Sequence, residues 1–385
     1  VEVRKFHFSN REKRSPIKIH YKDLELYQKK RLWVSLGLII AIFTLYLVVT
    51  CTFLNQNRAN QITTWEKHLS TDPILMAEVE KRAAASNATP VSIGTFVGNI
   101  PSLSIKDSSF KMYLWIWFRW NGDDELDPMN HFRIYKGSYD KLDVVKDEVI
   151  NGEHYQLVRT TVTVNRTFDT TRFPLSSHQM YTYIESSYPV TRMVYVMDTS
   201  KGGESTISDN IDISGYNVMD HDTAVTAYQY ESDHGDPSKD GDIINSEFLT
   251  AVMVNRASFG TYIRCFIALV GTIIWVLITL FICTYHRVDP LAMIPAALFG
   301  TVTNIMVGAN LLPEAIDTGL LEFVNFFGIA ILLAGAIAII NINRVRNKYE
   351  TYEFAGYYGR AMLITLTAFT IIGNFLLPFF AYIWW

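Results

Sequence analysis

Hydrophobic positions along this chain follow two rhythms, and the switches between them predict its parts. Trp33 to Leu54 is an unbroken apolar run without charge, and Thr261 to Tyr285, Asp289 to Leu311, Leu320 to Ile342 and Ala361 to Trp385 are apolar spans with at most one charge near the start. Roughly 20 residues rising about 1.5 Å each cover a bilayer core of roughly 30 Å, so these spans predict five membrane helices. From Pro90 the rhythm changes to short alternating runs separated by turn residues, the pattern of an all-β sandwich of immunoglobulin-like type. Phe110, Met112, Leu114, Ile116 and Phe118 alternate with Lys111, Tyr113, Trp115, Trp117 and Arg119, which predicts a half-buried strand with an aromatic outer face. Tyr155 to Phe168, Met180 to Glu185 and Met193 to Met197 read as further strands, while Gln61 to Ala85 has the composition of a helical neck. Acid-rich loops at Asp123 to Glu125 and Asp233 to Pro237 read as solvated loop charge, with cation binding as the alternative.

Among the apolar spans, Asp289 to Asn310 is built to be wet on one side. Steps of three or four residues put Asp289, Ala292, Ala296, Phe299, Thr303, Met306 and Asn310 on one face. Several copies of this face around an axis would line a hydrated path with a hydrophobic constriction at Phe299. In the bland alternative, Thr303 and Asn310 only bond to neighbouring helices. Asp289 and Pro290 suit a helix start, and Pro295, one turn in, predicts a bend.

Composition sharpens this division. The chain has 385 residues, 49% of them hydrophobic, with a net charge of -4. Its mean hydropathy of +0.12 lies between soluble and all-membrane values. Nothing here signals nucleic acid, and no metal-ligand spacing, phosphate loop or nucleophile elbow points to a cofactor or an enzyme. Cys51, Cys265 and Cys283 all lie in apolar runs and read as buried hydrophobes. Charge orients the spans: basic residues dominate positions 1 to 32, His286 and Arg287 follow one span, and Arg344, Arg346, Lys348 and Arg360 lie between the last two. The positive-inside rule then puts the N-terminus in the cytoplasm, with the β domain and the C-terminus outside, as for a multi-pass protein of a bacterial inner membrane. The expected domains are a cytoplasmic segment (1–32), an N-terminal membrane helix (33–54), a neck (55–89), an external sandwich (90–260) and a four-helix membrane bundle (261–385). The N-terminal helix, lacking a polar stripe, is expected to pack outside the bundle and to be dispensable for conduction.

A sandwich feeding four membrane helices, the second polar on one face and ended by a proline, resembles the pentameric ligand-gated ion channels, especially bacterial ones. Four stretches carry the resemblance in order. Val91 to Ile100 looks like the family's first strand, Phe173 to Gln179 like its Phe-Pro loop at the membrane-facing end, Arg256 like its arginine before the first of the four helices, and Asn310 to Pro313 like the end of its pore helix. This chain departs from the family at Ser176, where the loop has aspartate, and at His178, where it has glutamine. It also lacks the flanking cysteines and the Trp-x-Pro element, carries Ala268 where the first helix has a proline, and adds the anchor at Trp33 to Leu54. The resemblance implies a homopentamer in a bilayer, passing ions when a small molecule or ion binds the sandwich. Coupling would run through Phe173, Pro174, His178, Arg256 and Pro313, with Tyr216, Tyr230 and Phe248 as agonist contacts, and Asp289 would bias the pore toward cations. The competing reading is a membrane-anchored sensor or binding protein that does not conduct.

Overall fold

The computed structural model describes residues 20–232, 242–286, 288–312, 318–348 and 352–382. A long helix α1 (Leu26–Leu69) and a shorter α2 (Pro73–Ser86) precede the strands. These are β1 (Thr89–Ser104), β2 (Ser109–Trp120), β3 (Phe132–Ile134), β4 (Gly137–Tyr139), β5 (Asp143–Ile150), β6 (Glu153–Asn165), β7 (His178–Pro189), β8 (Met193–Met197), β9 (Thr206–Ile207), β10 (Tyr216–Tyr230) and β11 (Ile243–Arg256). Four helices follow: α3 (Gly260–Tyr285), α4 (Ile294–Ala309), α5 (Leu320–Lys348) and α6 (Tyr352–Tyr382). Residues up to Thr50 group with Phe266–Ile305 and Val324–Leu377 in one compact unit, and Cys51–Cys265 group with Met306–Phe323 and the end of α6 in a second.

In the second unit a seven-stranded sheet, ordered β4-β6-β2-β1-β8 with β5 and β9 attached, faces a four-stranded sheet ordered β10-β11-β7-β3. The alternation in β2 is realised: Phe110, Met112, Leu114, Ile116 and Phe118 are fully buried, and they pack with Met180, Ile184, Phe248 and Val252 of the opposite sheet. Thr95 and Thr250 share a hydrogen bond of 2.8 Å within this core, which satisfies two hydroxyls that would otherwise be stranded there. Two patches on the outer face of the four-stranded sheet are also covered. Trp65 near the end of α1 packs with Tyr181, Ala224, Leu249, Ala251 and Met253, and Val79 of α2 packs with Val190, Ala227 and Ile244. The anchor and neck of the sequence reading are thus largely one helix of 44 residues. The break comes at Asp72, which accepts the Ile74 and Leu75 amides as Pro73 opens α2.

In the helical unit, α3 buries Leu269, Ile273, Val276, Leu280 and Cys283, a regular helical seam. α1 packs on α5 and α6 through Phe43, whose ring centroid lies 5.6 Å from that of Phe327 and 5.4 Å from that of Phe369. α1, α3, α5 and α6 are long and apolar enough to cross a membrane; α4 is shorter, with 16 residues. The expected start of α4 is therefore corrected. Asp289 accepts the Leu291 amide at 3.1 Å and opens a 3-10 turn, Leu291–Met293, before the α-helix begins at Ile294. Pro295 then falls in the first turn of the α-helix, the position at which a proline is best tolerated. α6 begins nine residues earlier than its apolar run, because polar first turns extend a helix without needing lipid. Arg346, read from sequence as lying in a link, is inside α5 and buried, donating to the Cys283 carbonyl near the end of α3.

Candidate functional site

Burial along α4 separates two sets of positions. Ile294, Ala297, Thr301, Asn304 and Gly308 are buried, while Asp289, Ala292, Ala296, Phe299, Thr303, Met306 and Asn310 are all exposed. At about 100° per residue, these two sets lie close to opposite one another on the helix. Exposure at Leu298, Val302 and Ile305 is 46%, 54% and 42%, against 75% at Phe299 and 62% at Met306, so the most open direction is that of the proposed stripe. The buried side explains itself. Asn304 donates to Asn325 of α5 at 2.7 Å and accepts the Leu269 amide of α3, and Gly300 has no room for a Cβ against Thr272. Interhelical amide bonding thus belongs to Asn304, whereas Thr303 bonds back to the Phe299 carbonyl of its own helix at 2.9 Å.

Phe173, Pro174 and His178 are buried at one end of the sandwich. His178 Nε2 is 3.0 Å from Ser176 Oγ, and its ring lies edge-on to Phe168 and Tyr216. Burial, helped by the nearby Arg256 charge, pushes the imidazole down to about 3, so it stays neutral. Arg256 stacks 4.2 Å from the centre of the Tyr216 ring and 5.9 Å from that of Phe173. The loop carrying Phe173 and Pro174 reaches the chain beyond α4: Thr171 O accepts the Leu320 amide at 2.7 Å, and Gly319 lies so close to Thr171 that a Cβ would overlap its carbonyl. Pro313 lies outside the described residues, so of the predicted coupling set the structure brings together Phe173, Pro174, His178 and Arg256.

The three proposed agonist contacts do not meet. Tyr216 and Tyr230 are the two ends of a 15-residue strand, and Tyr216 belongs to the Arg256 cluster. Phe248 faces the core, fully buried, because strand parity sends its neighbour Glu247 to the other face. Tyr230 does sit in a site, one built around residues the sequence reading passed over. Glu247 on β11 pairs across to Glu185 on β7, and Glu185 to Arg133 on β3, so that one rung of the sheet carries two carboxylates and a guanidinium. Glu185 is saturated: it accepts from Arg133 at 2.6 Å, from Tyr230 at 2.9 Å and from Asn245 at 2.9 Å. Glu247 is 4% exposed, and among the described residues its Oε1 has no hydrogen-bond partner. Burial and the facing Glu185 push its carboxyl up to about 8. Tyr183, Tyr135, Tyr228 and Tyr230 form one chain of rings beside the rung, with successive centroids 6.2, 5.5 and 4.6 Å apart. Both acids were visible in the sequence as the charged positions within long runs of β pattern.

The outer face of the other sheet holds an aromatic cavity of about 670 Å³. Phe96, Trp115, Trp117 and Tyr155 line it, and Asp198 at its rim accepts from Trp117 at 3.0 Å and pairs with Arg119. Among the described residues no cluster of side chains is suited to hold a metal ion. No protein-family model matches the chain, and no curated protein matches it.

Proposed function

We propose that this chain is one subunit of a homopentameric cation channel of the pentameric ligand-gated type, with its β domain outside the cell. The supporting observation is α4. Its buried side is occupied by α3 and α5 contacts, while a face bearing Asp289, Phe299, Thr303 and Asn310 is left open for other subunits and for water. Five such faces would set an acid at one mouth, a ring of phenyl groups midway and an amide at the other mouth. The agonist is a small cation. Glu247, beside a chain of tyrosines, would offer charge once its proton leaves near pH 8, and the rings offer π faces to an ammonium group. Around a ring, the tyrosine and acid rung of one subunit would meet the tryptophan-lined cavity of the next. Binding there would gate by favouring one of two arrangements of the loop at Thr171 and the link at Leu320.

Liposome reconstitution tests this. Particle images should have fivefold symmetry, and the liposomes should pass monovalent cations in response to tetramethylammonium or to an external pH step. A fivefold or other assembly that stays tight to ions, even as Phe299→Ser, would favour the anchored sensor instead.

A further inference from the structure

Beyond its apolar run, α1 carries an inward stripe that changes character. Phe43, Leu47 and Leu54 are buried on one line of the helix, and the same line continues through Asn57, Gln61 and Trp65. Its polar part is spent on the loop at the end of the sandwich. Asn57 donates to Asp169 at 2.8 Å, and the Gln61 backbone carbonyl accepts from Gln179 at 2.8 Å. The Gln61 side-chain oxygen accepts from Arg172 and, at 3.2 Å, from Ser177. Arg172 is 2% exposed, and among the described residues it makes no ion pair, since Asp169 is taken by Asn57 and by the Thr171 amide. The hydrogen bonds of this buried guanidinium go to an amide oxygen and the Ser177 hydroxyl, while the Asp169 charge favours it from farther off. One residue away, Thr171 holds the Leu320 amide.

We propose that Gln61 is a positioning residue for gating: from the N-terminal helix it holds the Arg172 to Gln179 turn in the arrangement that engages the link at Leu320. The proposal rests on the channel reading above. It also divides the role of α1. The apolar run can be dispensable for conduction, whereas the turn of helix after it is part of the coupling. Removing the Gln61 carbonyl leaves a buried charge short of an acceptor, so the loop must shift or admit water, and its grip on Leu320 loosens.

The experiment compares Gln61→Ala, Gln61→Glu and the exposed control Thr63→Ala in reconstituted full-length protein. Flux evoked by tetramethylammonium or a pH step should fall about tenfold in Gln61→Ala, recover in Gln61→Glu, which keeps an acceptor oxygen, and stay unchanged in Thr63→Ala. In a Phe299→Ser background, Gln61→Ala should leave the resting leak intact, which separates lost coupling from lost assembly. Amide exchange read in parallel should rise across residues 170–179 and at Leu320 in Gln61→Ala alone. Normal evoked flux in Gln61→Ala, or unchanged exchange in the loop, overturns the proposal. Wild-type and Phe299→Ser proteins that both fail to conduct overturn the channel reading instead, and the exchange measurement then decides whether Gln61 holds the loop.

Discussion

Two carboxylates directly opposite on neighbouring strands repel each other, and Glu247 relieves this by keeping its proton well above the usual carboxylate range. Released by unfolding, it would lose that proton near 4.5, against about 8 in place. Between those values the folded state binds one proton more, so this group's contribution is complete at low pH and is lost as pH rises toward about 8. The neutral His178 has the opposite sign, its contribution growing as pH rises from about 3 to 6.5. Comparison of Glu247→Gln with wild type isolates the acid. The thermal midpoint of the variant should gain on wild type as pH is raised from about 5 to about 8, and a constant gap would mean Glu247 is charged throughout. The same proton governs the proposed ligand: tetramethylammonium should bind more tightly as pH rises through about 8 and lose most of that gain in Glu247→Gln. At the pore, Phe299→Ser should raise resting flux severalfold while Leu298→Ser changes it less, and Asp289→Lys should reduce cation preference, both read as liposome currents.

Elements were legible from the sequence wherever one rhythm ran alone. β2 alternates without a break because one face meets the core and the other does not, and its buried residues could be named from spacing. In α4 the seven stripe positions are exposed, as helical period alone would group them, but the α-helix starts at Ile294 because a 3-10 turn, Leu291–Met293, precedes it. Tyr216 and Phe248 went astray for another reason. Composition suggests aromatics near a ligand, yet strand parity and strand length decide which of them can meet, and neither is visible until the register is known. The Gln61 contacts were illegible because they join residues about 110 positions apart. The only local trace was two amide side chains continuing an apolar stripe. A cysteine scan tests the element that matters most. In α4, positions 296, 299, 303 and 306 should react from water, and 297, 301 and 304 should not, being packed on α3 and α5. Reaction at 298, 302 and 305 without 299, 303 and 306 would rotate the pore face by roughly 100° and displace Phe299 from it.

At the scale of the molecule, four helices long and apolar enough to span a membrane make this a multi-pass candidate, and the proposed orientation rests on the distribution of charge. Basic side chains cluster before the anchor and around the junction of α5 and α6, whereas exposed acids are spread over the loops of the sandwich. Moving cations across a bilayer against the membrane potential is costly, so the basic ends should remain inside, with the sandwich facing out. The chain supplies its own clean background for a test, because Cys51, Cys265 and Cys283 are all buried and poor targets for a water-soluble reagent. Lys106→Cys lies exposed on the sandwich, and Lys22→Cys lies exposed just before α1. In intact spheroplasts a membrane-impermeant maleimide should label the first at once and the second only after lysis. Labelling in the reverse order would turn the ligand face toward the cytoplasm and the Asp289 mouth outward. Any agonist would then have to come from inside the cell, and the channel reading would keep its pore but lose its external receptor.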